Sequence, residues 1–127
     1  MKTNMVGWFE IPVSDMNRAK TFYEAVFGIK IQLELFGETK MGWFPSPQDP
    51  GAKGASGSLV HNPSFYKPSA NGTLVYFTSP GIDYELSKVE EAGGVLLQGK
   101  TLITEDIGYM ALFLDTEGNR IALHSRE

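Results

Sequence analysis

The order of strand-like and helix-like patterns in this sequence occurs twice, and this repeat limits the possible folds more than any other feature. Sliding the sequence 66 positions against itself places Phe9 on Val75 and Gly28 on Gly94. Few letters are identical, but the order of elements, the glycine after each helix and the spacing agree. The repeat therefore predicts one α+β domain built from two βαβββ units.

The first unit shows the clearest local signals. Residues alternate in kind from Trp8 to Val13, as in a strand with one buried face. Asp15 offers an acceptor for a helix start, and a helix is predicted from about Met16 to Phe27, before Gly28. The other predicted elements are strands at about 29–35, 40–45, 56–61, 74–78, from 95, at 109–114 and at 120–125, and a helix at about 82–92.

These two units, at about 1–66 and 70–127 of a single domain spanning 1–127, are expected to join their strands into one curved eight-stranded mixed sheet. Both helices would lie on the outer face. The opposite, concave face is a natural place for a ligand pocket. Alternation along the strands assigns to this concave face Trp8, Glu10, Leu74, Tyr76, Thr78, Ala122 and His124.

Composition excludes several classes of function. The sequence has no cysteine, so disulfides, zinc–thiolate sites and thiol nucleophiles are absent, which fits a reducing compartment. A formal net charge of −4 gives no reason to expect nucleic acid as a partner. No apolar run is long enough to span a bilayer, and the segment from Met1 to Pro12 lacks the uninterrupted apolar stretch of an export signal. The expected location is the cytoplasm, with no membrane partner.

Two segments carry a resemblance to a known family. Val13-Ser14-Asp15-Met16, followed by Phe22-Tyr23 and Phe27-Gly28, resembles the first strand and helix of the vicinal-oxygen-chelate (glyoxalase/bleomycin resistance protein/dioxygenase) superfamily. The segment 115–121, Asp-Thr-Glu-Gly-Asn-Arg-Ile, resembles the closing hairpin of that superfamily. The similarity covers nearly the whole chain and is greatest to small bacterial proteins related to lactoylglutathione lyase. It implies the duplicated fold, a small-molecule ligand and a homodimer.

The resemblance also locates the positions from which many superfamily members hold a divalent metal ion. They fall at Trp8, Ser56, Leu74 and Ala122, and none of these side chains is a good ligand, since such an ion prefers imidazole or carboxylate. No cofactor is therefore predicted, and a divalent metal is disfavoured. We assign no arginine to the concave face that would stabilise an oxyanion in its place. This pattern argues against glyoxalase I activity.

Three ionisable residues remain as candidates for chemistry. Glu10 and His124 share the concave face and are the candidate acid–base pair, although the more ordinary reading of each is a solvated or hydrogen-bonded side chain. His61, at the end of the fourth strand, would be the third donor of a shifted metal site with them. The predicted ligand-binding residues are Trp8, Leu74, Tyr76, Thr78 and Ala122, the aromatic ones serving either as flat walls or in ordinary sheet packing.

The sequence leaves two functions open. The first is a lyase or isomerase that uses Glu10 and His124 on a small organic molecule. The alternative is a non-catalytic protein that binds or sequesters a drug or metabolite, as resistance proteins of the superfamily do without a metal.

Overall fold

The computed structural model describes residues 4–49 and 51–127, and its two helices and eight strands follow the duplicated order. Residues 1–3 lie outside it, and with them the start of the segment considered above for an export signal. In chain order the elements are β1 Trp8–Pro12, α1 Met16–Phe27, β2 Gln32–Phe36, β3 Thr39–Trp43, β4 Ser56–His61, β5 Val75–Thr78, α2 Asp83–Val89, β6 Val95–Thr104, β7 Gly108–Leu114 and β8 Arg120–Ser125. Neither described helix is long and apolar enough to cross a bilayer.

The ends of α1 are fixed by the residues that the sequence indicates. The Asp15 carboxylate accepts a hydrogen bond from the Arg18 amide at 3.0 Å, which satisfies one of the free amides of the first turn. Gly28 has a left-handed backbone (φ 63°), and its amide donates to the Glu24 carbonyl. Between these ends, Phe22, Tyr23 and other apolar side chains pack against the sheets.

The strands form two four-stranded sheets, in the orders β1-β4-β3-β2 and β5-β8-β7-β6. The α+β class and the duplicated modules are confirmed, but the single eight-stranded sheet is corrected. Within the described residues, β1 is an edge strand of one sheet and β5 is an edge strand of the other, and the two strands do not pair with each other through backbone hydrogen bonds. In each sheet the edge strand pairs in parallel with the last strand of its unit, and the other neighbours are antiparallel.

An aromatic cluster joins the two halves on the side of the helices. Phe77 of β5 lies 5.7 Å from Phe9 of β1, 4.8 Å from Phe27 of α1 and 5.4 Å from Phe44, measured between ring centroids. Tyr23 also contacts Phe77, at 6.2 Å. Aromatic pairs at such distances add to the free energy gained from area burial alone. Packing of rings therefore holds β5 beside β1 where no ladder of backbone hydrogen bonds joins them.

The turn between β7 and β8 is a second connection between the halves, which we call the hairpin clamp (residues 115–119). Buried Asp115 accepts hydrogen bonds from the Tyr23 hydroxyl at 2.6 Å and from the Asn119 side chain at 3.0 Å. Asn119 also donates to the Pro12 carbonyl at 2.7 Å. Burial raises the pKa of Tyr23 well above 10.0, and the Asp115 charge and hydrogen bond raise it further. The side chains of this turn therefore tie the second half to the first.

Glu117 extends the hairpin clamp to the start of α1. Its carboxylate accepts hydrogen bonds from the backbone amides of Ser14 and Asp15, at 2.9 and 2.8 Å, and from the Arg18 guanidinium, at 2.7 Å. Burial by itself would raise the pKa of Glu117. The bonds from Arg18, the two amides and Thr116 outweigh burial and lower the pKa below 4.5.

This lowered pKa gives a prediction for acid stability. Ionised Glu117 stabilises the fold above about pH 4.5, the ordinary value for the unfolded chain, and that contribution is lost as the pH falls through the lowered pKa. Glu117→Gln should therefore lower the free energy of unfolding at pH 7. In this variant the free energy of unfolding should also fall less steeply with decreasing pH, between about pH 5 and about pH 3. Urea denaturation at a series of pH values measures both effects. Glu38→Gln, at an exposed turn, is the matched control and should keep the wild-type slope; an unchanged slope in Glu117→Gln would contradict the prediction.

Candidate functional site

The helix-free faces of the two sheets carry the residues predicted for the concave side. In β1, Phe9 and Ile11 pack into the core, so Trp8 and Glu10 point to the opposite face. Residues in register share a face, which places Ser56 and Ser58 of β4, opposite Trp8 and Glu10 respectively, on this side too.

A cleft of about 900 Å³ opens between the adjacent edges of the two sheets. It is lined by β1, by β5 and the segment before it, and by the residues around the starts of β4 and β8. Four of the five predicted ligand-binding residues line it, and they are Trp8, Leu74, Tyr76 and Thr78. Ala122, the fifth, lies opposite Tyr76 in β8 but is fully buried and outside the cleft lining.

The first sheet carries an aromatic wall made of Trp8, Trp43 and Phe36, of which Trp8 lines the cleft and the other two lie outside its lining. The Trp8 ring meets Trp43 of β3 edge to face, with centroids 6.3 Å apart, and Trp43 stacks on Phe36 at 6.2 Å. Trp8 is 45% exposed and Tyr76 is 50% exposed, so both rings keep free surface. Flat, exposed aromatic faces suit a planar ligand.

Beneath this wall lie polar groups without partners. Ser56 and Ser58 of β4 lie between the strands that carry Trp8 and Trp43. The hydroxyls of both serines and the indole Nε1 of Trp43 are buried and have no hydrogen-bond partner within the described chain. Leaving a buried donor or acceptor unsatisfied costs about 1–3 kcal/mol, so three together on one face are unusual.

Glu10 lies in the cleft and is held by the segment that connects the halves. Its carboxylate accepts a hydrogen bond of 2.8 Å from the hydroxyl of Tyr66. This bond is the main reason that the pKa of Tyr66 lies above 10.0, which keeps the phenol protonated as the donor at neutral pH. A carboxylate fixed in this way is available to a ligand through its other oxygen.

The structure places Glu10 in the cleft lining but not its candidate partner His124. His124 is on the helix-free face of β8, in register with Thr78, but it is outside the cleft lining. Its Nε2 lies 2.7 Å from the carbonyl oxygen of Ile107. Since a carbonyl can only accept, Nε2 carries the proton and is occupied by that bond. The two candidates thus have separate partners, Tyr66 and Ile107.

His61 lies on the wrong face for the shifted metal site. In β4, Leu59 is in register with Gly42 of β3, so the two residues share a face of the sheet. That face is the one covered by α1, because a Cβ atom added at Gly42 would lie against Met16 of α1. His61 follows Leu59 by two residues and shares that face, opposite the side to which Glu10 points. Residues 4–49 and 51–127 contain no group of three His, Asp or Glu side chains close enough to hold a metal ion.

Nor do the positions carried over from the resemblance fit a metal ion. Trp8 lies opposite Ser56, as the repeat indicates, while Ala122 lies opposite Tyr76 and not opposite Leu74. An indole, a hydroxyl, an isobutyl and a methyl group supply neither imidazole nor carboxylate. These side chains do not fit the divalent ion that the superfamily implies.

Arg120 is one of the charged cleft residues that the sequence analysis did not predict, with Lys53 and Lys67. We assigned no arginine to the helix-free face, but Arg120 lines the cleft at the start of β8. The signal was present, because Arg120 alternates with Ala122 and His124, which were both assigned to that face. The predicted strand at 120–125 includes Arg120, but the alternation was not applied to this first residue of the strand.

Comparison with protein-family models gives a match over most of the chain. The model described as Glyoxalase/Bleomycin resistance protein/Dioxygenase superfamily matches residues 5–123. A search of curated proteins gave no match.

Solved structures share the fold at low identity. A glyoxalase/bleomycin resistance protein from Albidiferax ferrireducens is 19% identical with a TM-score of 0.73, over 98% of this chain and 100% of that one. A hypothetical protein from S. aureus is 23% identical with a TM-score of 0.71, over 97% and 95%. TnmS3, an antibiotic binding protein from Streptomyces sp., is 25% identical with a TM-score of 0.69, over 100% and 99%.

Proposed function

The chain belongs to the glyoxalase/bleomycin resistance protein/dioxygenase superfamily, and from this premise we propose that it is a non-catalytic protein that binds a small, flat organic molecule between its two sheets. The observation that carries the proposal is the unpaired hydroxyl of Ser56, which lines the cleft together with the half-exposed ring of Trp8. A ligand seated against Trp8 is placed to satisfy this hydroxyl. The cost to folding of leaving it unpaired is then offset when the ligand binds.

One of the similar solved structures supports a binding function. TnmS3, whose length this chain matches almost fully, is described as an antibiotic binding protein. In addition, His124, the candidate acid–base partner of Glu10, hydrogen-bonds to Ile107 and lies outside the cleft lining. We further propose that binding requires no metal ion. The homodimer stays a prediction from the resemblance.

Native mass spectrometry of protein purified without added metal, together with metal analysis, tests this function. We expect an organic compound retained by the folded chain, and no metal near one equivalent. If none is retained, titration with the neutral dye N-phenyl-1-naphthylamine should still show saturable binding at one site. Near-stoichiometric Ni, Zn, Fe or Mn would contradict the metal-free proposal, and absence of both a retained compound and dye saturation would contradict the binding function.

Catalysis at Glu10 is the second candidate, because the Tyr66 hydroxyl holds this carboxylate in the cleft at 2.8 Å. A fixed carboxylate is a suitable general base for a ligand proton. If the chain is an enzyme, wild type converts the retained compound and Glu10→Gln does not, whereas both bind it. Tyr66→Phe removes only the positioning bond and should then reduce turnover less. Equal turnover by wild type and Glu10→Gln would remove Glu10 from any mechanism.

A further inference from the structure

The charges around the cleft are opposite in sign to those of the chain as a whole. The sequence has 15 acidic and 11 basic residues. The cleft lining nevertheless contains three cationic side chains, Lys53, Lys67 and Arg120, and a single carboxylate, Glu10. Cations gathered in an otherwise acidic surface attract an anion to that place.

These cations are not neutralised by the chain itself. The ion pairs found among the described residues involve Arg18, Lys20, Lys88 and Lys100, none of which lines the cleft. The carboxylate of Glu10 accepts from Tyr66 and has no ion pair with Lys67 or Arg120. The positive charge of Lys67 and Arg120 is therefore available to a ligand.

The backbone that carries two of these cations is fixed by the hairpin clamp. The amide of Ser69, two residues after Lys67, donates to the Asn119 side chain at 3.0 Å, and Arg120 follows Asn119 directly. Asn119 is in turn bonded to Pro12 at the end of β1. Lys67 and Arg120 are thus brought to the same part of the cleft by one buried asparagine, on backbone that is already ordered.

We propose that the cleft selects an anionic ligand, with Arg120 and Lys67 binding a carboxylate, sulfonate or phosphate group while Trp8 and Tyr76 hold an attached flat ring system. This inference rests on the proposed binding function and specifies the chemical class of its ligand. The planar guanidinium of Arg120 binds such an oxyanion through two parallel hydrogen bonds, and Lys67 adds a point charge. Cationic drugs are disfavoured by the same charges.

Two dyes that share their ring system test the proposal. They are 8-anilinonaphthalene-1-sulfonate, which carries a sulfonate, and N-phenyl-1-naphthylamine, which lacks it. Wild type should bind the sulfonate dye about tenfold more tightly, the difference expected for a charge-assisted contact in a cleft. Arg120→Gln with Lys67→Gln should remove that preference and leave the dissociation constant of the neutral dye within about twofold.

A matched control removes the same two charges elsewhere. Lys30→Gln with Arg126→Gln changes side chains outside the cleft lining and should keep the preference for the sulfonate dye. Added salt should weaken the binding of the sulfonate dye and leave the binding of the neutral dye unchanged, because salt screens the charge interaction. Equal binding of both dyes by wild type, or an equal loss in the control variant, overturns the inference while the binding function stands. Failure of the neutral dye to saturate wild type, with no organic compound retained by the purified protein, overturns the binding function, and the inference with it.

Discussion

Replacing Asp115 with alanine should lower the free energy of unfolding by about 4 kcal/mol, at the upper end of single substitutions. The buried carboxylate accepts four hydrogen bonds, from the Tyr23 hydroxyl, the backbone amides of Glu117 and Asn119, and the Asn119 side chain. Alanine leaves these donors in the interior without an acceptor, which costs more than the bonds themselves contribute. It also releases Asn119, which joins the hairpin clamp to β1.

Urea denaturation at pH 7, followed by circular dichroism, measures this loss. Asp106→Ala, in the exposed turn between β6 and β7, is the control and should change stability by less than about 0.5 kcal/mol. Tyr23→Phe, which removes one of the four donors, should cost about 1–1.5 kcal/mol. A loss in Asp115→Ala no larger than that in Asp106→Ala would show that the hairpin clamp does not hold the halves together.

Trp8→Ala should weaken binding of N-phenyl-1-naphthylamine by about thirtyfold, or about 2 kcal/mol. The Trp8 ring is the part of the aromatic wall that lines the cleft, with 45% of its surface free to contact a ligand. Removing the ring deprives the ligand of a flat surface to stack on. It also removes the edge-to-face contact that Trp8 makes with Trp43. Since Trp8 is half exposed, the fold itself should lose little.

Fluorescence titration of the dye measures this change, with the melting temperature as the check on folding. Phe65→Ala is the matched control, because that ring is 83% exposed and lies outside the cleft lining. It should bind the dye as wild type does. If Trp8→Ala bound the dye as tightly as Phe65→Ala, the dye would be bound elsewhere and the cleft would lose its role.

The sequence was most informative where local physics decides the outcome. The helix Met16–Phe27 begins and ends as predicted, because an aspartate cap and a left-handed glycine act within a few residues of the helix. The strands Ser56–His61 and Arg120–Ser125 are likewise found as predicted, since alternation and flanking turns mark them. The fold class followed from the repetition of these local signals.

It was least informative where residues far apart must meet. The division into two sheets depends on whether β1 and β5 form a hydrogen-bond ladder, and the strand pattern is the same in either case. The role of Glu117 was invisible because its partners are about a hundred positions away. The hydrogen bond of His124 depends on the turn that brings the Ile107 carbonyl to the imidazole. The hydroxyl of Ser58 has no hydrogen-bond partner because of the way neighbouring strands pack around it, which the local sequence does not reveal.

The long reach of the hairpin clamp has a consequence during synthesis. The Arg18–Glu117 and Pro12–Asn119 contacts join residues 99 and 107 positions apart. The amino-terminal module therefore leaves the ribosome with Tyr23 lacking its buried acceptor, and it gains that acceptor only when the last hairpin has emerged. Contacts so distant along the chain form slowly. For a period during synthesis, the first module is therefore already translated but cannot yet complete its packing against the hairpin clamp.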